Sequence, residues 1–322
     1  MGGESYGRDV YSSYSTSNGS GSSSSWGASS IAAAKISSTK LDSSMNPTGK
    51  NLRSTTKNPI IIVLDETGSN IDLARLLYDK LPMFYGQIEQ KKYFDDFDIS
   101  ICAVGDAYTD SYPLQVSPFA KGIELDSYME KLVLEGGGGG NNGESYELMA
   151  YYLTEKTEFA PGAKPIVFFI GDEPYHPKVN KGQAEKFDLP FTEPIDPFPN
   201  LRKKFNDNVY MLLNRFCGRD SFDSKALSQW TKALAPEHLI KISEEKAVVD
   251  LMLGILALLA KRSLKTYAID MQGRGQTIQR IEGVTKALEG LSTAIVPAEQ
   301  IKTLPTTIGT ATSADSKKGK RI

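Results

Sequence analysis

Apolar positions along this chain follow two alternating rhythms. Short runs dominated by apolar residues occupy 59–64, 97–104, 165–170, 209–213 and 238–242, the pattern of strands covered on both faces. Between them, apolar residues recur at helical spacing over 71–81, 127–134, 144–154, 201–205, 224–234 and 244–260, which predicts helices. This alternation predicts an α/β layer fold with a mainly parallel sheet and helices on both faces. A further short run at 113–117 lies close to 97–104 and predicts an antiparallel edge hairpin with it.

The rhythm is absent at both ends. Residues 1–57 are rich in Ser, Gly and Thr, with Tyr6, Tyr11, Tyr14 and Trp26 scattered among them. Such a segment buries too little surface to offset its ordering entropy, so a disordered tail is expected up to residue 57 and a folded domain over 58–262. Residues 263–302 read as a helical extension, with Ile278, Ile281, Val284 and Leu288 forming a stripe over 278–288. Residues 303–322 read as a disordered tail ending in Lys317, Lys318, Lys320 and Arg321. The stretch 173–200, with prolines at 174, 177, 190, 194, 197 and 199, has little periodicity. Loops this long are functional covers or mobile excursions.

The candidate chemistry sits where strands end. After the apolar run 60–64 come Asp65, Glu66, Thr67, Gly68, Ser69 and Asn70, and then a helical period for which Asn70 is a suitable cap. Asp65, Thr67 and Ser69 therefore share one strand-to-helix loop. Three hard oxygen side chains at alternate positions suit a small hard cation such as Mg2+; the same residue types also make ordinary turns. Asp172 follows the strand 165–170, and open parallel sheets place ligands at the carboxyl ends of their strands. Glu173 and His176 beyond it read as exposed loop residues. A third loop runs from Gly136 to Gly140 into Asn141, Asn142, Gly143, Glu144 and Ser145. Residues 138–145 fit G-x-x-x-x-G-x-S, but Glu144 stands where a phosphate-binding loop needs Lys, and its charge would repel phosphate. What remains is a glycine loop presenting oxygen donors from Asn141, Asn142, Glu144 or Ser145.

Composition narrows the field. The chain has 322 residues, 40% of them apolar, and a net charge of −2, enough for a sizeable core and no global field to recruit nucleic acid or anionic membrane. Cys102 and Cys217 lie far apart in apolar runs and read as buried thiols in a reduced compartment. With His176 and His238 as its two histidines, the chain is poorly supplied for zinc clusters or His-based triads. The amino terminus has no basic start followed by an apolar stretch, and the run 247–260 is too short to span a bilayer. A cytoplasmic protein without membrane segments is expected.

Taken together, the D-x-T-x-S loop of Asp65, Thr67 and Ser69, the glycine loop and Asp172, in that order, resemble a von Willebrand factor type A (vWA) domain with a metal-ion-dependent adhesion site (MIDAS). The match runs over about residues 58–262. The segments N-N-G-E-S-Y-E-L, G-D-E-P and V-D-L-M-L-G-I-L-A-L resemble the bacterial and phage-type branch of that family. The resemblance implies a Rossmann-like fold and a divalent cation, Mg2+ first with Mn2+ or Ca2+ as alternatives. It assigns the cation to Asp65, Thr67, Ser69 and Asp172, with Asn141 or Asn142 where the family usually has Thr. It further implies a protein partner that offers an Asp or Glu to the ion, with an AAA+ ATPase system as one setting, and no enzyme activity. Two alternatives remain open. One is an assembly scaffold with a degenerate site. The other is a Mg2+-dependent phosphohydrolase of the haloacid dehalogenase type, in which Thr67 would stand where a second Asp is needed as general acid.

Overall fold

The computed structural model describes residues 39–68, 70–135, 143–215 and 220–295. The strands are β1 (Leu52–Ser54), β2 (Asn58–Asp65), β3 (Phe97–Val104), β4 (Leu114–Val116), β5 (Thr157–Phe159), β6 (Ile166–Gly171), β7 (Val209–Leu213) and β8 (Leu239–Lys241). The helices are α1 (Ile71–Lys91), α2 (Glu124–Met129), α3 (Tyr146–Lys156), α4 (Lys181–Lys186), α5 (Phe198–Lys204), α6 (Asp220–Ala233), α7 (Val248–Leu259), α8 (Leu264–Gly273), α9 (Ile278–Ala287) and α10 (Glu289–Ile295). Six strands form one sheet in the order β4-β3-β2-β6-β7-β8. All its pairings are parallel except that of β3 with the edge strand β4. This is the mainly parallel, Rossmann-like layout that the sequence predicts, antiparallel edge included.

Strand β2 shows why the sheet is covered on both faces. Its residues alternate between two cores: Ile60, Ile62 and Leu64 face one, Ile61 and Val63 the other. The first is closed by α1, α2 and α7, the second by α3, α5 and α6. Each such buried aliphatic side chain contributes roughly 1.5–3 kcal/mol, so a polar residue on either face of β2 would be costly. Helix α7 is apolar all round, with every residue from Val248 to Leu258 buried, and a helix of that kind needs cover on every side. The sheet supplies one side and α8–α10 the other, with Leu288 and Tyr267 closing against Gly254, where a Cβ would collide with both. The extension is thus packed on the domain.

Several expectations change. Helix α1 does not stop at residue 81 but runs through Pro82 to Lys91; burial of Met83, Phe84, Tyr85 and Ile88 outweighs the hydrogen bond that proline removes. Within the expected tail, residues 39–57 are in part folded: Met45 is fully buried, its carbonyl accepts a 2.8 Å hydrogen bond from Val116 N–H, and β1 pairs with β5. Residues 1–38 and 296–322 lie outside the described residues. The proline-rich stretch is a packed cover, holding α4 behind an Asn180–Gln183 capping box and burying Tyr175, Val179, Phe187 and Leu189 in the second core. Ile278, expected on the packed stripe of α9, is 75% exposed, whereas Val284 and Leu288 are buried. Cys102 is buried as expected; Cys217 lies outside the described residues. Among the described residues, no helix is long and apolar enough to cross a membrane.

Candidate functional site

Parallel pairing brings the strand ends together. Asp65 is the register partner of Val104, and Leu64 of Ile170, so the loops after β2, β3 and β6 open on the same sheet edge. Asp65, Thr67 and Asp172 are all buried there. Asp65 Oδ1 accepts from the Thr67 backbone N–H at 2.9 Å and from its hydroxyl at 2.5 Å. Oδ2 accepts from the Tyr146 hydroxyl at 2.6 Å. Asn70 does occupy the N-cap position of α1, but its side chain makes no cap hydrogen bond. Its amide instead donates to Asp172 Oδ1 at 2.7 Å, tying the first loop to the last. Of the six candidate ligands, the structure brings Asp65, Thr67 and Asp172 to one edge; Ser69, Asn141 and Asn142 lie outside the described residues.

Two supporting residues escaped the sequence. Tyr146 opens α3 and is fully buried, its ring edge-on to Phe169 and Trp230. Its hydroxyl reaches Asp65 across the end of β6 because Gly171 has no side chain. A Cβ there would overlap the Tyr146 hydroxyl and fall 2.9 Å from both Cβ and Oδ2 of Asp65. Gly171 was legible only as the residue between an apolar strand and an Asp; the close approach that requires glycine is a property of the packed edge.

The edge is crowded with buried carboxylates. Glu66, Asp106, Glu144 and Glu147 join Asp65 and Asp172 in being nearly inaccessible. Burial raises the Asp65 carboxyl above its usual range against the hydrogen bonds from Thr67 and Tyr146. It raises Glu66 further, with Glu135 and Asp110 adding repulsion, and it raises Glu144, where Asp65 is the foremost repelling charge. Glu147 is pushed up to about 8, chiefly by burial, although it accepts from Gln183 at 2.9 Å and from His176 N–H at 3.1 Å. Among the described residues, no Lys or Arg forms an ion pair with Asp65, Glu66, Glu144 or Glu147. Glu173 and His176 are not the exposed loop residues expected: both are half-buried, and His176 Nε2 lies 3.2 Å from Asp106 Oδ1.

Asp65, Thr67, Asp172 and Glu144 offer only oxygen, the donor type for a hard cation. Among the described residues, no three His, Cys, Asp or Glu side chains form a metal-holding group.

No family model and no curated protein matches the chain. Similar solved structures include vWA-type proteins. The pilus adhesin SpaC from Lactobacillus rhamnosus GG, in its open conformation, is 12% identical over 66% of this chain and 31% of its own, with a TM-score of 0.43. Proximal thread matrix protein 1 from the mussel byssus, with a zinc-occupied MIDAS motif, is 10% identical over 66% of this chain and 49% of its own, with a TM-score of 0.39. The SpRpn10 VWA domain is 14% identical over 62% of this chain and 95% of its own, with a TM-score of 0.36. The chain thus spans less than half the length of the adhesin and of the byssus protein. At these identities and scores the likeness carries no argument about ligand or partner, which must come from the edge itself.

At that edge Glu144 is the further residue of interest. Its backbone N–H donates to Pro174 O at 3.0 Å, and it forms a parallel bridge with Tyr175, so the glycine loop is held against the loop that carries Asp172. The sequence placed Glu144 among several possible donors of that loop; its burial beside Asp65 needed the packed edge.

Proposed function

We propose that the carboxyl edge of this sheet is a MIDAS-type cation site that binds a protein partner. Asp65, Thr67, Ser69 and Asp172, with Asn141 or Asn142, would hold a divalent cation, Mg2+ by preference because every donor is a hard oxygen. The ion would supply a compact positive charge facing the rim, which selects an Asp or Glu side chain of the partner. The observation that supports this reading is the burial of Asp65, Thr67 and Asp172 together at the ends of adjacent strands, with no Lys or Arg among the described residues paired to Asp65. Buried carboxylates without a counter-ion are costly, and a divalent cation removes that cost. An AAA+ ATPase system is one setting in which such a module would find its partner. Phosphohydrolysis is disfavoured because the residue two positions beyond Asp65 is a Thr whose hydroxyl is committed to that same carboxylate.

Calorimetric titration of the metal-stripped protein with Mg2+, Mn2+ and Ca2+ tests the proposal. Saturable binding is expected in the wild type. In Asp65→Ala affinity should fall by more than about 100-fold, since even outer-shell changes cost 10- to 100-fold. Equal affinity in the variant, or no binding in the wild type, overturns the assignment.

A further inference from the structure

Two kinds of helix start occur in this fold. Asn180, Ser263 and Thr277 open α4, α8 and α9 with extended backbones, and each side chain accepts from the backbone N–H three residues on, as a cap does. Helices α1 and α3 start from the loops of the candidate site, and neither is capped in this way. Asn70 (φ −110°, ψ 1°) and Ser145 (φ −84°, ψ 45°) lie outside the extended region and make no side-chain cap hydrogen bond. Each side chain reaches to a different loop instead. The Asn70 amide donates to Asp172 Oδ1 at 2.7 Å, and Ser145 Oγ accepts from Ala107 N–H at 2.9 Å. A local rule that holds at three helices and is broken at the two beside the site marks a place where function outweighs local stability.

Resting on the cation site above, we propose that Asn70 is a positioning residue that sets cation affinity by holding Asp172, a role it serves in place of capping α1. The competition favours the carboxylate. A hydrogen bond to an ionised acceptor is roughly twice as strong as the neutral bond of an Asn cap, and Asn70 and Asp172 are each 1% exposed, where a carboxylate without a donor is costly. The Asn70 backbone N–H also donates to Thr67 O at 2.9 Å, and Thr67 in turn donates twice to Asp65. One turn therefore carries Asp65 and Thr67 and, through Asn70, fixes the plane of the Asp172 carboxyl. Ligands drawn from two loops keep their spacing only while those loops are braced, and outer-shell hydrogen bonds of this kind orient the ligands they touch.

Mn2+ alone is the probe, read by electron paramagnetic resonance for affinity and for the shape of the bound-ion spectrum, with thermal denaturation of the same samples. Asn70→Ser keeps a good cap for α1 but is too short to reach Asp172. It is expected to bind Mn2+ about tenfold more weakly, with an altered bound-ion spectrum and a Tm close to that of the wild type. If Asn70→Ser does not fold, Asn70→Gly decides, since Gly is accepted at cap positions and carries no donor: a comparable loss of affinity supports the proposal, and wild-type affinity overturns it. Wild-type affinity and spectrum in a folded Asn70→Ser, alongside loss of binding in Asp65→Ala, overturn the role of Asn70 while the cation site stands. Wild-type protein that fails to bind Mn2+, or Asp65→Ala that binds it equally well, overturns both.

Discussion

Glu144 and Asp250 are equally buried, each 2% exposed, yet their surroundings are opposite. Asp250, on α7, accepts from Arg274 Nη2 at 2.7 Å, and Arg274 is itself only 6% exposed. Tyr267 seals the pair by donating to the Asp250 backbone carbonyl and accepting from Arg274 at 3.2 Å. The charge that fastens the helical extension to the domain is thus closed within the chain. At the carboxyl edge, no Lys or Arg in the described residues pairs with Asp65, Glu66, Glu144 or Glu147. Burial alone therefore does not distinguish a structural charge from a functional one. What differs is whether a Lys or Arg among the described residues is paired with the buried carboxylate.

The largest effect should come from breaking the closed pair. Arg274→Met leaves Asp250 buried and unpaired and is expected to cost about 3–5 kcal/mol, a fall in Tm of roughly 10 °C for a domain of this size. Cation binding at the carboxyl edge should be unaffected, and the double variant Asp250→Leu/Arg274→Met should recover most of the loss. Thermal denaturation checks both; loss of cation binding in folded Arg274→Met would merge the two regions into one.

A smaller effect is expected at Gly171. Gly171→Ala forces its Cβ into the Tyr146 hydroxyl and should cost about 1–3 kcal/mol by overpacking. Because the displaced hydroxyl no longer holds Asp65, cation affinity should fall along with stability. Denaturant unfolding and metal titration of the same variant separate the two losses. A stability loss with unaltered affinity would show that Tyr146 packs the edge without orienting its ligand.

The smallest is a slope in pH. Burial holds the Glu147 carboxyl at about 8 in the folded chain, against a usual 4.5. Between those values the folded protein keeps a proton that the unfolded chain releases. The contribution of Glu147 to stability is therefore complete below about 4.5 and is lost as pH rises through about 8, by at most roughly 1.4 kcal/mol per pH unit. Glu147→Gln should flatten this part of the stability profile; an identical slope in that variant would assign it to other carboxyls of the edge.

Features that depend on local period were legible along the chain. The strands 97–104 and 209–213 appear at their expected bounds, and the parallel sheet with its antiparallel edge follows from apolar runs separated by helical spacing. Asp65, Thr67 and Asp172 could be placed at strand ends because a strand's end is visible where its apolar run stops. Tertiary packing set what depends on contacts between distant segments. It carried α1 through Pro82, drew residues 39–57 into the fold and turned the Asn70 side chain from its helix to Asp172, 102 positions away. Gly171 and Tyr146 became parts of one arrangement only when two loops met over Asp65. Periodicity records which face of a segment is buried; it does not record which segment buries it, and the chemistry of this edge arises from that meeting.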